Sequence, residues 1–304
     1  MSDRLAGVER RIATTHQLSA IITAMRGIAA VRSHEARQQL DGIRAYSAMV
    51  GHGIAHALAL GEADALPDAR PLSPHEDGRP GGRHAVIAFT AEQGFAGSFS
   101  ERVLEQALTL LDFAHRHDTA LLLIGDRGLM AAAERDVRPD WQAPMIARVD
   151  QAAALANRIM GELLRRFGLG HLESVSVVYA MPSHSGASDI VKRRLVPFDY
   201  SRFPPVRQEN PPLTTLAADA LLSKLSAEYM FAELCEAVIL SFAAENEARV
   251  AAMIAARQSV DDTLSDLTAK SRLLRQDAIT SELVELAGGA RARKRSKAQR
   301  NRKA

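Results

Sequence analysis

Apolar and small residues recur at intervals of three and four positions along the first segment of the chain. The stripe consists of Leu5, Val8, Ile12, Thr15, Leu18, Ile22, Met25 and Ala29. This spacing places successive side chains on one face of an α-helix, and Ser2 or Asp3 is a suitable N-cap. The pattern therefore predicts a long amphipathic helix over residues 1–60, weakened locally by Gly27 and Gly42.

The last third of the chain lacks helix-breaking residues. No glycine or proline occurs between Pro212 and Gly288, and each would cost about 1 kcal/mol (Gly) to 3 kcal/mol (Pro) inside a helix. A seam with alternating steps of four and three residues runs through Val260, Leu264, Leu267, Ser271, Leu274 and Ala278. Because such steps are typical of a coiled coil, the sequence predicts one long helix over residues 206–289.

The middle of the chain has a different pattern. All twelve prolines lie between Pro67 and Pro212, and residues 61–83, rich in Pro, Gly and acidic residues, predict a flexible connection. Beyond it, apolar runs of strand length (85–89, 120–125, 173–179, 190–198) alternate with helical patterns (99–117, 151–167). The strand, helix and strand over 85–125 predict parallel pairing of the first two runs. The later runs complete a small Rossmann-like α/β domain over residues 84–205.

The two predicted terminal helices are too long to fit within that domain. At 1.5 Å per residue they reach roughly 80–110 Å, whereas a domain of this size has a radius of gyration of about 14 Å. Each amphipathic helix needs a partner along its length, because a lone one is not stable in water. The predicted fold class is therefore α/β plus long helices, with an antiparallel coiled coil of the N- and C-terminal helices and a central α/β domain.

The helix seam contains several small residues, which limits how strongly the predicted pair can hold itself together. These residues are Ala29, Ala30, Ala256, Ser271 and Ala278. They allow close approach of the two backbones but bury little apolar area. We therefore expect a partner that encloses the helix pair.

Charge is distributed unevenly along the chain. Eight of the 38 Lys and Arg residues lie in the final segment, and the remaining 30 face 36 Asp and Glu residues, so the body carries a net charge of −6. The eight are Arg291, Arg293, Lys294, Arg295, Lys297, Arg300, Arg302 and Lys303. Without interleaved aromatics or a recognition motif, this basic tail (290–304) is typical of a solvated disordered segment rather than of a nucleic-acid site.

The cysteine and hydropathy patterns bear on the compartment. Cys235 is the only cysteine, so the chain has no internal disulfide and a reducing compartment is expected, with the thiol as an apolar filler. The first residues lack the apolar core of a secretory signal, and no run of about 18 uncharged apolar residues occurs. We expect a soluble, cytoplasmic chain that reaches a membrane only through partners.

The α/β segment contains one loop that resembles a phosphate-binding loop. Residues 90–100 follow a strand and open a helix, where such loops lie. Gly94 and Gly97 give only G-x-x-G, and no lysine is available for a phosphate. A tight strand-to-helix turn is the favoured interpretation, and Asp126 with Arg127 is interpreted as a second turn with local capping and pairing.

The remaining candidate chemistry does not form a catalytic or metal-binding set. His52 and His56 are four residues apart, but no carboxylate lies between them as in H-E-x-x-H, so an exposed helix face is favoured. Ser183, His184 and Ser185 follow a strand without the G-x-S-x-G elbow of a hydrolase. The sequence predicts no catalytic residue, no metal and no cofactor.

Two patches on the terminal helices stand out as candidate contact surfaces. In one, the cationic Arg26 lies beside Met25 in an otherwise apolar turn. The other, near the end of the second helix, consists of Arg275, Gln276, Thr280 and Glu282. From the residues alone, partner contacts and ordinary solvated helix faces are equally compatible with both patches.

Both ends of the chain resemble the γ subunit of F-type ATP synthases. Residues 10–33, RRIATTHQLSAIITAMRGIAAVRS, are similar to the pattern R-I-x-S-x-x-N-T-x-K-I-T-x-A-M-x-M-V-A of its N-terminal helix. The segments EARVAAMIAARQSVDDTLSDL and RQDAITSELVELAGGA are similar to A-R-x-x-A-M-x-x-A-T-x-N-A and R-Q-x-x-I-T-x-E-L-x-E-I-x-x-G-A. The order of helix, α/β domain and helix extends the resemblance over nearly the whole chain.

The resemblance implies a non-catalytic rotor shaft that transmits torque by rotation. Its partners would be the catalytic and non-catalytic ring subunits (alpha and beta), the epsilon subunit and the membrane c-ring, on the cytoplasmic face of a bacterial inner membrane. The residues it implies as partner contacts are Met25, Arg26, Arg275, Gln276, Thr280 and Glu282. The basic tail just past the tip would then contact acidic nucleotide-bearing subunits.

The chain departs from the family pattern at several positions, which suggests a divergent bacterial branch, such as a second ATPase within one bacterium. Residues 16–23 replace N-T-x-K-I-T, and Glu92 with Gln93 replaces an Asp-Arg pair. Two other readings remain open: a nucleotide-binding α/β enzyme with helical dimerisation arms, and a free-standing coiled-coil scaffold. Tight ATP or NAD binding would favour the enzyme, and homodimerisation without other partners would favour the scaffold.

Overall fold

Two long helices flank a five-stranded sheet in the order of the chain. The computed structural model describes residues 2–60, 83–113, 119–169, 172–183, 188–206 and 213–301, so the predicted connection (61–83) lies outside it apart from Arg83. The helices are α1 (Ser2–Leu60), α2 (Phe99–Phe113), α3 (Asp126–Ala133), α4 (Ala152–Gly168) and α5 (Ala218–Asn301). The strands are β1 (His84–Phe89), β2 (Thr119–Ile124), β3 (Trp141–Ala143), β4 (Ser174–Met181) and β5 (Asp189–Val196).

The chain divides into two compact units. One consists of residues 1–26 with 253–304, and the other of residues 27–252. The first is therefore built from parts of α1 and α5 alone. The second holds the sheet together with the remaining parts of the same two helices, so the compact units cross the segment borders predicted from the sequence.

In the first unit, α1 and α5 form an antiparallel pair. Ile22, Met253 and Val260 are buried together. Arg257 of α5 bonds to Thr23 of α1, and Arg275 of α5 bonds to Glu9 of α1. Because the residue number falls along α1 as it increases along α5, the two helices run in opposite directions. The predicted seam is confirmed by burial. Its buried members are Val260 and Leu267, and its half-buried members are Leu264, Ser271, Leu274 and Ala278.

The second unit is organised around a sheet with the strand order β3-β2-β1-β4-β5. The first four strands are parallel, and β5 is antiparallel to β4. The predicted fold class is confirmed: a mixed α/β sheet lies between long N- and C-terminal helices. In β1, β2 and β4, successive side chains enter the two opposite core clusters, one on each face of the sheet. A strand that is buried on both faces is continuously apolar, which is why these strands appear as apolar runs in the sequence.

Two short elements were not predicted. β3 is only three residues long, and α3 begins at Asp126, where the sequence was interpreted as a turn. The turn signal came from Gly125 and Gly128. Gly125 has φ 101° and precedes the helix, and a Cβ on Gly128 would lie 2.1 Å from the Thr90 hydroxyl oxygen. Both glycines therefore allow α3 to pack closely against the end of β1.

Helices cover both faces of the sheet. One face packs against α4 and the buried middle of α5, with Ala36 and Leu40 of α1 joining the same cluster. The other face packs against α2 and α3. Within residues 232–246 of α5 every residue except Glu236 is buried, a pattern typical of a helix inside a core. The long helix is therefore a component of the domain core as well as the partner of α1.

Polar bonds between α1 and α5 also occur in the second unit. Arg44 bonds to Glu236 at 2.9 Å, and Tyr46 donates to Glu228 at 2.8 Å. Phe203 packs so close to α1 that a Cβ on Gly51 would lie 3.0 Å from its ring. The antiparallel pairing is thus found in each unit considered by itself.

The two ends of α5 differ from the sequence prediction. The prediction placed its start at residue 206, but the helix begins at Ala218 and residues 213–217 are non-helical. Within that stretch the Thr214 hydroxyl donates a hydrogen bond to the carbonyl oxygen of Leu216 at 3.2 Å. At the other end it continues through Gly288 and Gly289 to Asn301, where the charge run predicted a disordered tail. The Ala, Arg, Lys and Gln residues after Gly289 are strong helix formers, which offsets the cost of the two glycines, about 1 kcal/mol each.

Candidate partner-contact surfaces on the terminal helices

The first predicted patch contains one anchored and one free side chain. Met25 is half-buried and packs on the cluster of Ile22, Met253 and Val260, while Arg26 is exposed. Neighbouring Thr23 accepts a hydrogen bond from Arg257 at 2.8 Å, and Arg257 also pairs with Asp261. The patch is thus a cationic side chain on a fixed section of the helix pair.

The second predicted patch is exposed throughout. Arg275 pairs with Glu9 of α1 at 3.0 Å, with the two side chains 65% and 48% exposed. The Thr280 hydroxyl bonds to the carbonyl oxygen of Gln276 at 2.9 Å. Among the described residues, no bond ties the side chains of Gln276 or Glu282. The arrangement offers amide, carboxylate and guanidinium groups to an approaching surface.

The structure does not bring the two patches together. Arg275 lies opposite Glu9, whereas Met25 lies sixteen positions further along α1, which corresponds to about 24 Å of helix. The two patches are therefore separate surfaces within one helix pair. A single partner would have to extend along the pair to contact both, or different partners would take one each.

Exposed apolar residues in the same unit were missed by the sequence reasoning. They are Ile21, Ile254, Leu273, Ile279, Leu283, Val284 and Leu286, all between 51% and 66% exposed, and Leu18 of the predicted α1 stripe is 47% exposed as well. The signal was present as apolar residues that lie off the heptad seam. A run of such side chains around a polar patch is typical of a protein–protein interface, so this surface supports the expectation of an enclosing partner.

The candidate phosphate loop is occupied by the chain itself. In open parallel sheets, ligands bind outside the carboxyl ends of the strands where the strand order reverses, here between β1 and β4. Beside the end of β1, the Arg249 guanidinium of α5 donates to the carbonyl oxygens of Gln93 and Gly94, at 3.1 and 3.2 Å, and pairs with Glu245 at 2.5 Å. A nucleotide phosphate would have to displace this buried network, which argues against the enzyme reading.

The other candidate residues are the histidines, the serines after β4 and the single cysteine. His52 is exposed and His56 half-buried, and no group of metal-ligating side chains occurs in the part of the chain that the structure describes. His184 and Ser185 lie outside the described residues. Cys235 is buried, and burial raises the pKa of its thiol to about 11, so the thiolate is scarce at neutral pH. Across the described residues, none of the helices has the length and apolarity to cross a membrane.

Known proteins are similar to this chain over nearly its full length. A family model described as ATP synthase matches residues 4–292. The ATP synthase gamma chain of Frankia casuarinae is 28% identical, over 96% of this chain and 98% of its own length. That of Bacteroides fragilis is 25% identical, over 95% and 99%.

Solved structures share the fold. A chain of the Euglena gracilis mitochondrial ATP synthase, from a structure of OSCP, F1 and c-ring, superimposes with a TM-score of 0.62 at 12% identity, covering 96% of this chain and 95% of that one. A chain of the Tetrahymena thermophila mitochondrial ATP synthase central stalk and c-ring gives 0.53 at 16%, covering 78% and 99%. Together with the family match, the antiparallel terminal helices and the α/β sheet between them show that the chain belongs to the ATP synthase gamma-chain family.

Proposed function

We propose that this chain is the central-stalk rotor subunit of a rotary F-type ATP synthase and transmits torque between a membrane ion-driven ring and the catalytic subunits. The observation that supports this most strongly is the exposed apolar and polar surface on the α1–α5 pair, in a chain of the gamma family. An enclosing ring of subunits would cover that surface. The chain supplies no catalytic group; the neighbours carry the chemistry.

The mechanism follows from the asymmetry of the helix pair. Arg26 lies on α1, whereas the cluster of Gln276, Thr280 and Glu282 lies on α5, so the surface that a neighbour meets changes as the pair turns. A catalytic subunit that binds one face better than another shifts between conformations of different nucleotide affinity. The rotor thus acts by differential contact rather than by chemistry.

The proposed partners are the alpha and beta subunits around the helix pair, the epsilon subunit and the membrane c-ring. The six contact positions on α1 and α5 meet the ring subunits through the charged groups of Arg26, Arg275 and Glu282, together with the amide, hydroxyl and thioether groups of the other three. The proposed location is the cytoplasmic face of a bacterial inner membrane, where the chain is peripheral and attached through those partners.

Affinity purification from native membranes tests the proposal directly. A tagged full-length chain is expected to bring down catalytic ATPase subunits in a complex that hydrolyses ATP. Recovery of the chain alone, or as a homodimer without other subunits, would instead support the scaffold. Tight binding of ATP or NAD by the isolated chain would support the enzyme.

A further inference from the structure

The buried guanidinium of Arg249 makes an unusually complete set of contacts. Its Nε donates to the carbonyl oxygen of Gly94 at 3.2 Å, and its Nη1 donates to Asn246 Oδ1 at 3.0 Å. Its Nη2 donates to the carbonyl oxygen of Gln93 at 3.1 Å and to Glu245 Oε1 at 2.5 Å. Four bonds from one planar group fix its position and orientation, which no lysine ammonium reproduces.

The acidic partner of Arg249 is equally enclosed. Glu245 is only 3% exposed, and its Oε2 has no hydrogen-bond partner among the described residues. A buried carboxylate is costly unless it is paired. Glu245 and Arg249 therefore depend on each other, and the loop carbonyls complete the arrangement.

Two further polar residues on the same stretch of α5 bond to other elements. The Ser241 hydroxyl accepts a hydrogen bond from the backbone N–H of Ala180 in β4 at 3.2 Å. Glu247 accepts from the Ser33 hydroxyl of α1 at 3.0 Å and pairs with Arg37. We call Ser241, Glu245, Glu247 and Arg249 the α5 collar. It joins the helix to β4, to the loop after β1 and to α1.

The apolar contacts around the collar cannot fix the helix in the same way. Near the loop, α5 contributes the small side chains of Ala244 and Ala248 to the buried cluster. Apolar contact is non-directional, so alanines resist sliding or turning of a helix only weakly. The directional bonds of the collar therefore orient this end of the buried stretch of α5, while Val238, Ile239 and Phe242 pack its preceding turns into the core.

We propose that the α5 collar is the joint that locks the helix to the α/β domain, and that its buried pair of Glu245 and Arg249 are positioning residues for torque transfer. This rests on the proposed rotor function. In the rotor, torque entering through the α/β domain reaches the rest of α5 through this joint. A loosened joint lets the helix slip, so ATP hydrolysis and ion transport lose their fixed ratio.

The test uses the assembled complex in inverted membrane vesicles, with Arg249→Lys and Arg249→Met. ATP hydrolysis is measured beside ATP-driven uptake of H⁺ and Na⁺. For both variants we expect the ions taken up per ATP hydrolysed to fall roughly threefold or more, while hydrolysis continues. Arg158→Lys, at an exposed arginine of α4 that lies outside the collar and the candidate contact patches, is the matched control and should keep the ratio. An unchanged ratio in both Arg249 variants would overturn the proposal.

A merely structural role predicts a different outcome. Ile159→Val removes one methyl group from the domain core away from the collar, and its ratio should stay normal even where it lowers the unfolding temperature as much as Arg249→Lys does. The exchange of Glu245→Arg with Arg249→Glu keeps an ion pair but moves the guanidinium one turn away from the loop carbonyls. If that exchange restores the normal ratio, the loop bonds are not the joint. Failure of the wild-type chain to co-purify with catalytic subunits would instead refute the rotor function.

Discussion

Arg275 of α5 donates to Glu9 of α1 at 3.0 Å, and both side chains remain largely exposed. An ion pair in such a position adds less than about 1 kcal/mol to the stability of the helix pair. The guanidinium retains donors that point to solvent, because only Nη2 is engaged with the described residues. The role of Arg275 is therefore expected to appear in binding rather than in folding.

Arg275→Ala is predicted to leave the unfolding temperature of the chain nearly unchanged while weakening assembly. If Arg275 contacts a catalytic subunit, its removal should cost about 1.4 kcal/mol, a tenfold loss of affinity. Titration of the chain with purified ring subunits measures this. Glu9→Gln breaks the same ion pair but keeps the arginine, so it is the control. Equal losses in both variants would assign the effect to the ion pair rather than to a partner contact.

Substitution of Gly128 is predicted to destabilise the α/β domain. A Cβ at this position would lie 2.1 Å from the Thr90 hydroxyl oxygen, which itself donates to the carbonyl oxygen of Ile124 at 2.6 Å. Relief of the clash has to move α3 or break that bond, so Gly128→Ala should cost about 1–3 kcal/mol. Urea unfolding followed by circular dichroism measures the loss.

Gly42 provides the control for this prediction. It lies inside α1, and a Cβ there would meet nothing within 4 Å. Gly42→Ala should therefore stabilise the chain by about 0.5–1 kcal/mol, because alanine has the higher helix propensity. Loss of stability in the Gly42 variant, or none in the Gly128 variant, would contradict the packing described for these helices.

A pH-dependent contribution to stability is predicted for Glu162 in α4. Hydrogen bonding from Arg165 lowers the pKa of this carboxyl from 4.5 to about 2, and Arg166 acts in the same direction. A carboxyl with a lowered pKa stabilises the fold above its unfolded pKa, and that stability is lost as the pH falls. The loss should therefore extend from about pH 4.5 towards pH 2.

Glu162→Gln should flatten this pH dependence. The variant is expected to be less stable than the wild type at pH 6, with the difference shrinking as the pH is lowered to 3. Urea midpoints at several pH values check this. Glu134, an exposed carboxylate in the same unit, serves as the control through Glu134→Gln. A constant difference across the range would mean that the two arginines do not discriminate between the ionised and protonated carboxyl.

The elements that could be predicted from the sequence are those whose signal is local and long. The seam through Val260 and Leu267 and the apolar runs of β1 and β2 repeat over enough residues to define their structure. β3 could not be predicted, because three residues give no periodicity, and α3 contains Gly128, which reads as a turn. The α5 collar is invisible in the sequence, since Glu245 and Arg249 have the spacing of an ordinary solvated helical pair. Only the approach of the loop after β1 buries them.

The candidate contact surface was likewise predictable only in part. The six partner-contact positions came from the resemblance at the two ends of the chain, and the structure finds all but Met25 exposed. The apolar residues off the seam were not singled out, because a helical period alone does not tell which of two apolar faces meets the other helix. That distinction requires the pairing of α1 with α5.

Replacing the exposed apolar residues near the end of α5 is predicted to separate assembly from folding. Leu283 and Val284 are 61% and 66% exposed, so Leu283→Gln with Val284→Gln should change the stability of the isolated chain by less than about 0.5 kcal/mol. If a ring of subunits covers them, the same double variant should form the complex at least tenfold less readily, because two buried apolar contacts are lost. Co-purification with catalytic subunits at several salt concentrations measures the assembly of this double variant. Val260→Gln, in the buried seam of the helix pair, is the contrasting control and should lower the stability of the isolated chain itself. Normal assembly of the Leu283 and Val284 variant would show that this face of α5 stays in solvent, and that the enclosing partner does not reach the end of the helix.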